Sequence, residues 1–122
     1  VDFALGGKGP DKAKPDLIVL AGWMRILSHW FCDKWRGKII NIHPSYLPAF
    51  KGSTNAIEDA YNYGCKIIGA TVHWVEPEID GGPIIAQGVH HIFEGHSLER
   101  VKEDVHLLEH WLYPKTIKEL IK

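Results

Sequence analysis

Cysteine is scarce in this chain, and long apolar runs are absent from it. Among its 122 residues only Cys32 and Cys65 are cysteines. Their number and spacing fit neither a disulfide framework nor a metal-ligand pair, which indicates a reducing compartment. No apolar stretch approaches the roughly 20 residues that a membrane-spanning helix needs, and no secretory signal opens the chain. We therefore expect a soluble, cytoplasmic protein in which both cysteines serve packing.

An excess of charge of either sign is also missing. Lysine and arginine number 14 against 15 aspartates and glutamates, which gives a formal net charge of -1. This balance provides no basic field for a nucleic-acid backbone or an anionic membrane surface. The length suits one domain with its own core, so any anionic ligand must be held by local groups.

The first 15 residues show little periodicity and are predicted to be a leader or loop. They contain the run Gly6-Gly7-Lys8-Gly9-Pro10, for which a glycine-rich phosphate cradle is the alternative interpretation. Such a cradle needs a helix that presents free amides directly afterwards, and Pro10 with the charged residues behind it does not suit that helix.

From residue 16 onwards the hydrophobic pattern predicts alternating strands and helices. The continuous apolar run over residues 17–22 is typical of a central strand with both faces buried. A short helix follows, with Ser28 as its N-cap and Gly37 at its end. Its buried side is assigned to Trp30, Phe31 and Trp35.

The rest of the chain completes an α/β pattern. The strand, helix and strand up to residue 42 imply a parallel crossover, and the strands at 67–75 and 83–90 form an antiparallel hairpin around Asp80. Helices are predicted over residues 55–63 and from the N-cap Ser97 onwards, with Pro114 kinking or breaking the last one. We predict a three-layer α/β domain with a mixed sheet.

The stretch Asn41-Ile42-His43-Pro44-Ser45 is the most informative motif, because it directly follows an apolar run. At the carboxyl end of a strand, where open α/β sheets bind ligands, it places an amide beside an imidazole. Asp80, in a polar turn downstream, adds a carboxylate that favours the charged imidazole. This set suits transfer of a one-carbon acyl group to an amine, with Asn41 donating to the oxyanion and His43 acting as general acid.

Other interpretations of these residues remain open at this point. An Asn-x-His at a strand end is often a turn-former beside a surface histidine, and Asp80-Gly81-Gly82-Pro83 alone is a hairpin turn. The eight histidines also invite a metal site, with His90 and His91 adjacent and His73 on the partner strand. Because adjacent strand residues face opposite sides, at most one of the pair can join His73, and we predict that no metal is bound.

Four segments together resemble a known family. They are DLIVLAGWMRIL at residues 16–27, NIHPSYLP at 41–48, DGGPIIAQ at 80–87 and EHWLYP at 109–114. In this order and spacing they resemble the phosphoribosylglycinamide formyltransferases of purine biosynthesis, over residues 16–122. The resemblance implies transfer of a formyl group from N10-formyltetrahydrofolate to the amine of phosphoribosylglycinamide, and it assigns the catalytic and folate-binding portion to that range.

The resemblance also implies site residues. The family's catalytic Asn, His and Asp fall on Asn41, His43 and Asp80, which chemistry had already selected. Ordinary core packing is the alternative for the apolar residues at 24–27. The implied folate-binding residues are Met24, Arg25, Ile26, Leu27, Asn41, Glu76, Pro77, Glu78, Ile79 and Asp80.

A carboxylate near the end of the chain is implied to hold the substrate amine. It corresponds to Glu109, for which a solvated helix face is the alternative. The implied substrate-binding residues are His106, Leu107, Leu108 and Glu109.

The resemblance has to be weighed against one related family and against two differences between this chain and the transferases. Formyltetrahydrofolate deformylases resemble NIHHS and DEGP where this chain has NIHPS and DGGP, so a transferase is favoured. Members of the transferase family begin with a strand and a phosphate-binding loop that residues 1–15 do not resemble, and the stretch after Gly52 is one residue longer than usual. A non-catalytic or truncated folate-binding fragment is therefore an alternative, and a homodimer that covers the edge of the first strand is another expectation.

Overall fold

The computed structural model describes residues 16–21, 28–77 and 81–122 of the chain. Within these ranges, the strands β1 (Ile18–Ala21), β2 (Ile39–His43), β3 (Ile67–Trp74) and β4 (Ile84–His91) form one sheet in the order β1-β2-β3-β4. The helices are α1 (His29–Lys34), α2 (Ala56–Tyr63) and α3 (Leu98–Leu120).

The sheet is mixed, as predicted. β1 pairs with β2 in parallel, whereas β2 with β3 and β3 with β4 pair antiparallel. The parallel pair needs a crossover connection, and the segment that contains α1 supplies it. The predicted antiparallel hairpin of β3 and β4 is confirmed, although its tip at residues 78–80 lies outside the described residues.

Helix α1 covers one face of the sheet beside β1 and β2. The N-cap prediction is confirmed, because Ser28 Oγ accepts a hydrogen bond from the Phe31 amide at 3.1 Å. Phe31 and Trp35 are buried, as predicted, and pack with Ile18 and Ile39. Trp30 was predicted on the buried side and is instead 61% exposed. One residue corresponds to about 100° around a helix, so Trp30 cannot share the face of Phe31 and Trp35.

Helices α2 and α3 cover the other face, so the predicted three layers are confirmed. Strand residues alternate between faces, and those on this side pack against α3 through Leu112 and Tyr113. Ser97 caps α3 by accepting a hydrogen bond from the Arg100 amide at 3.1 Å. Gly64, at φ 91°, ends α2 in the left-handed conformation that glycine adopts without strain. The strand residues on this face include Ile40, Ile42, Ile68, Ala70 and Val72.

Pro114 was predicted to kink or break the last helix, and the prediction of a break is wrong. Helix α3 runs from Leu98 to Leu120 with Pro114 inside it. Buried residues lie on both sides of the proline, Tyr113 before it and Thr116 after it, while Pro114 itself faces solvent. Packing on the sheet therefore outweighs the lost backbone hydrogen bond. In the part of the chain that the structure describes, no helix combines the length and apolar character of a membrane span.

Candidate functional site

Asn41 and His43 occupy the carboxyl-terminal half of β2, as their motif predicted. They are two residues apart, so their side chains project from the same face of the sheet. Both are buried, Asn41 at 3% and His43 at 0% exposure. The alternative of a turn-former beside a surface histidine is therefore wrong. A buried amide and imidazole on one strand form the centre of the candidate site.

Polar residues of the neighbouring strands extend this centre across the sheet. In the strand register, Asn41 lies opposite His73 and His43 lies opposite Thr71. Thr71 in turn lies opposite Gln87 on β4. We call Asn41, His43, Thr71, His73 and Gln87 the polar row. Buried polar groups are costly unless they are hydrogen-bonded, so a row of five on one face, of which all but the half-buried Gln87 are buried, indicates a built site.

His73 was considered in the sequence only as a metal ligand, and the register gives it a different place. Its ring is 2% exposed, and Nδ1 lies 3.0 Å from the Trp74 carbonyl oxygen. A carbonyl oxygen only accepts hydrogen bonds, so Nδ1 of His73 carries the proton in this contact. The Nε2 side of the ring lies away from the contact. The missed signal was the alternation along β3, which places His73 and Thr71 on one face. The register that sets them opposite Asn41 and His43 is a long-range property.

A loop after β2 covers His43. We call residues 44–50 the β2 loop. The amide of Leu47 donates to Thr71 Oγ1 at 3.1 Å, and Thr71 Oγ1 donates to the Ser45 carbonyl at 2.8 Å. The Phe50 carbonyl oxygen lies 3.5 Å from Nε2 of His43. The loop therefore folds back over the imidazole that precedes it.

Two of the predicted folate-binding residues, Glu76 and Pro77, line a cavity of about 280 Å³. Its wall also includes Trp74 and Val75 from the end of β3, and Cys32 of α1. Burial, and secondarily the nearby Asp33 carboxylate, raise the pKa of the Cys32 thiol, so Cys32 is a neutral group in a wall that also carries the charged residues Arg36 and Glu76. The cavity is mostly apolar with a few polar groups at its edge, which is the usual character of a ring-binding pocket.

The predicted substrate-binding residues lie on α3 and differ in exposure. His106 is exposed and lines a groove of about 270 Å³ together with Pro44, the residue after His43. Helix α3 therefore approaches the carboxyl end of β2 at this point. Leu107 is 67% exposed. Leu108 packs on the core over Gly88, where an added Cβ would lie 2.8 Å from Leu108 Cδ1.

Glu109 is half-buried on α3, so the alternative of a fully solvated face does not hold. Burial raises the pKa of its carboxyl from 4.5 to about 7. A carboxyl that is neutral or charged near pH 7 is a common feature of binding and catalytic sites. The substrate-binding role of Glu109 stays a prediction.

Seven predicted site residues fall outside the described part of the chain. Their roles, including that of the carboxylate in the catalytic set, stay predictions. They are Met24, Arg25, Ile26, Leu27, Glu78, Ile79 and Asp80.

The histidines do not assemble a metal site among the residues that the structure describes. Within those ranges, no group of three or more His, Cys, Asp or Glu side chains is placed to hold an ion. His90 instead contacts Asp104 Oδ2 through Nε2 at 3.0 Å. His106 and His110, one helical turn apart on α3, have a spacing that the sequence interpretation overlooked, and both are exposed.

Comparison with known proteins identifies relatives of the chain. It is 47% identical over 106 residues to a phosphoribosylglycinamide formyltransferase of Bacillus subtilis, covering 87% of this chain and 54% of that protein. It is 46% identical over 103 residues to the human trifunctional purine biosynthetic protein adenosine-3, covering 84% of this chain and 10% of that protein. The chain thus spans about half the length of the bacterial relative.

A solved structure and a family model agree with these relatives. The crystal structure of phosphoribosylglycinamide formyltransferase from Bacillus halodurans matches with a TM-score of 0.90 and 39% identity, covering 98% of this chain and 61% of that one. The family model described as formyl transferase matches residues 8–117. With most of its residues matched and the sheet, layers and strand-end motif in place, the chain belongs to the formyl transferase family.

Proposed function

We propose that this chain carries out formyl transfer from N10-formyltetrahydrofolate to the amine of phosphoribosylglycinamide, as its relatives' names suggest. The observation that carries the proposal is the buried pair of Asn41 and His43 at the carboxyl end of β2. This pair supplies an amide donor and an imidazole on one face, in a chain of the formyl transferase family. The proposed location is the cytoplasm, with small-molecule partners and no nucleic acid.

In the proposed reaction, the substrate amine attacks the formyl carbon and forms a tetrahedral oxyanion. The Asn41 amide donates a hydrogen bond to that oxygen, and one preorganised donor of this kind is worth about 10²- to 10³-fold in rate. His43, when protonated, is a second donor and the general acid for the leaving nitrogen, worth about 10²- to 10⁴-fold. Asp80 is proposed to favour the charged imidazole and to accept the amine proton through water.

The cavity beside Glu76 and Pro77 is the proposed pocket for the folate ring. Its apolar wall matches a flat heteroaromatic ring, and its volume of about 280 Å³ suits the ring rather than the whole cosubstrate. The backbone of residues 24–27 is proposed to read the polar edge of that ring. The remainder of the cosubstrate would extend towards the carboxyl end of β2.

The groove that joins His106 to Pro44 is the proposed approach of the second substrate. Glu109 lies one turn further along α3 and is proposed to hold the substrate amine. Because an approaching cation favours the ionised carboxylate, binding of the amine would lower the raised pKa of Glu109. Proton release on substrate binding near neutral pH is the expected sign of this contact.

The proposal is tested by calorimetry followed by turnover. The 122-residue chain is titrated with a formyltetrahydrofolate analogue, and formyl transfer is then measured with the true cosubstrate and phosphoribosylglycinamide. We expect His43→Ala to bind the analogue with little change and to lose turnover, because the ring acts on the reacting atoms. His91→Ala, at an exposed histidine two strands away from His43 at the end of β4, is the matched control and keeps both properties.

Each outcome of this test decides between named alternatives. Binding with formyl transfer supports the proposed enzyme. Release of formate to water without transfer supports a deformylase, and binding without any turnover supports a non-catalytic folate-binding fragment. Near-normal turnover by His43→Ala would overturn the proposed mechanism.

A further inference from the structure

The Thr71 hydroxyl is saturated with hydrogen bonds inside the protein. It donates to the Ser45 carbonyl at 2.8 Å and accepts from the Leu47 amide and from Gln87 Nε2, both at 3.1 Å. A hydroxyl has one donor and two acceptor sites, so these three contacts use all of them. Because Thr71 is fully buried, the hydroxyl orientation is fixed and specifies the path of the β2 loop.

Gln87 reinforces the same loop from the neighbouring strand. Its Nε2 donates to the Leu47 carbonyl at 3.0 Å as well as to Thr71 Oγ1. The two amide hydrogens thus bind two different acceptors, which only a side chain with an NH₂ group can do at this position. Leu47 is held on both its amide and its carbonyl, so the β2 loop is clamped at its centre.

The clamped loop ends at a backbone group that contacts the proposed catalytic imidazole. The Phe50 carbonyl oxygen is 3.5 Å from His43 Nε2. Phe50 itself adopts φ 57°, a conformation that costs a non-glycine residue about 1–2 kcal/mol and persists only where neighbours enforce it. The contact between Phe50 and His43 therefore depends on what holds the loop in place.

We propose that Gln87, acting through Thr71 and the β2 loop, is a positioning residue that sets the orientation and tautomer of the His43 ring. The proposal rests on the proposed function, because it assigns His43 the catalytic role. In this arrangement, the carbonyl of Phe50 keeps the proton of the neutral ring on Nε2. Gln87 and Thr71 touch neither substrate, and they act only through the geometry of the ring.

The test compares four variants of the 122-residue chain. Thr71→Val and Gln87→Met remove the clamp while keeping side-chain volume, and Thr71→Ser restores the hydroxyl. Thr116→Val is the matched control, because it also removes a buried threonine hydroxyl, which donates to Leu112 at 2.8 Å within α3. The ¹⁵N chemical shifts of the His43 ring are recorded across pH for each variant, and formyl transfer is measured alongside.

We expect Thr71→Val and Gln87→Met to shift the His43 ring resonances away from the Nε2-protonated form. They should lower kcat by about 10- to 100-fold, as misplacement of a catalytic group by about 1 Å does, and leave KM for the folate unchanged. Thr71→Ser should recover both properties. Thr116→Val should lose stability without moving the His43 resonances.

Two results would overturn the proposal. One is that the His43 ring resonances of Gln87→Met and Thr71→Val are the same as those of Thr116→Val. The other is an unchanged kcat in folded Gln87→Met, which carries the test if Thr71→Val does not fold. Absence of formyl transfer in the wild-type chain would count against the proposed function alone, since the ring resonances are measured without substrate.

Discussion

The Glu109 carboxyl makes the stability of this protein depend on pH. Burial raises its pKa from 4.5 to about 7. Between these two pH values the unfolded chain releases a proton that the folded chain keeps, so the free energy of unfolding falls as pH rises. Below pH 4.5 both states are protonated, and above about pH 7 both are ionised, so the loss levels off.

Glu109→Gln removes this titration, and we expect the variant to gain stability over the wild type as pH rises. The gain should be near zero at pH 4 and about 1–2 kcal/mol at pH 8, allowing for partial exposure. Denaturant unfolding at both pH values measures it. Glu103→Gln, an exposed glutamate on the same helix, serves as the control and should show no such gain. A Glu109→Gln variant less stable than the wild type at pH 8 would contradict the assignment.

At the residue scale, the sequence predicted the central residues of the candidate site better than the residues that surround them. Asn41 and His43 were identified because a strand places alternate residues on one face, and this rule is local. His73, Thr71 and Gln87 were not identified, because their proximity depends on the register between strands whose paired residues in the polar row are 16 to 32 positions apart. The hydrogen bonds that hold the β2 loop depend on that register, and no local sequence pattern predicts them.

Among the elements, α3 is joined to the sheet by a buried hydroxyl in addition to its apolar packing. Tyr113 Oη donates a short hydrogen bond to the Leu20 carbonyl of β1 and lies 3.3 Å from the Ile40 carbonyl of β2. Tyr113 also packs in the core between the helix and the sheet. This side chain therefore joins three elements that are distant in sequence.

Tyr113→Phe should lower the free energy of unfolding by about 1–2 kcal/mol, because a buried carbonyl loses its donor while the ring packing is kept. Urea unfolding measures the change. Tyr63→Phe removes the same hydroxyl from a residue that is 83% exposed and should have almost no effect. Equal effects of the two substitutions would show that the Tyr113 hydroxyl contributes nothing.

Pro114 offers a second test on the same helix. Its side chain is exposed, and α3 continues for six residues beyond it to Leu120. Pro114→Ala should restore a backbone hydrogen bond and stabilise the fold by about 1–3 kcal/mol. Thermal unfolding is the measurement. Destabilisation would contradict the assignment of the Pro114 ring as a solvent-exposed group that makes no stabilising contact.

The elements were predicted correctly wherever a local signal was decisive. Ser28 and Ser97 cap their helices, and Gly64 ends α2, because these residues satisfy helix termini by themselves. Trp30 and Pro114 were misjudged for opposite reasons. Trp30 was assigned by its hydrophobicity rather than by its angle on the helix, and Pro114 was assigned by its local cost without the packing that offsets it.

For the whole molecule, the outer edge of β1 is the surface most open to association. Among the described residues, no strand pairs with that edge. The Ile18 amide donates inward to the Lys38 carbonyl at 2.6 Å, so the amide of Val19 points outward by strand alternation. An unpaired strand edge of this kind is a template for another chain.

We expect the 122-residue chain to self-associate through this edge as concentration rises. Sedimentation velocity over a hundredfold concentration range measures it. Val19→Pro removes an outward donor and replaces a partly buried side chain with one that is also apolar, so it should weaken association while the fold persists, since proline is tolerated on an edge strand. Ile18→Pro removes an inward donor and should unfold the protein. Association that Val19→Pro leaves intact would place the interface elsewhere.

The fold as a whole was accessible from the sequence, while parts of the candidate site were not. Alternating apolar runs and turn residues predicted the mixed sheet and three layers, because burial of those runs dictates the architecture. The relative placement of Asn41, the cavity beside Glu76 and Glu109 depends on packing between elements. The proposed Asp80 and residues 24–27 lie outside the described ranges, so their roles stay predictions.

The hydrogen bond from Tyr113 to the Leu20 carbonyl also affects the order in which parts of the molecule unfold. β1 and β4 each have a single strand neighbour among the described residues, and β1 is attached in addition by its packing on the segment of α1 and by the bond from Tyr113 of α3. Proteolytic removal of α3 from Tyr113 onwards would therefore remove one of the attachments of β1. The polar row is carried entirely by the other three strands, so in partly degraded preparations we expect β1 to lose its order before His43 and His73 become accessible to solvent.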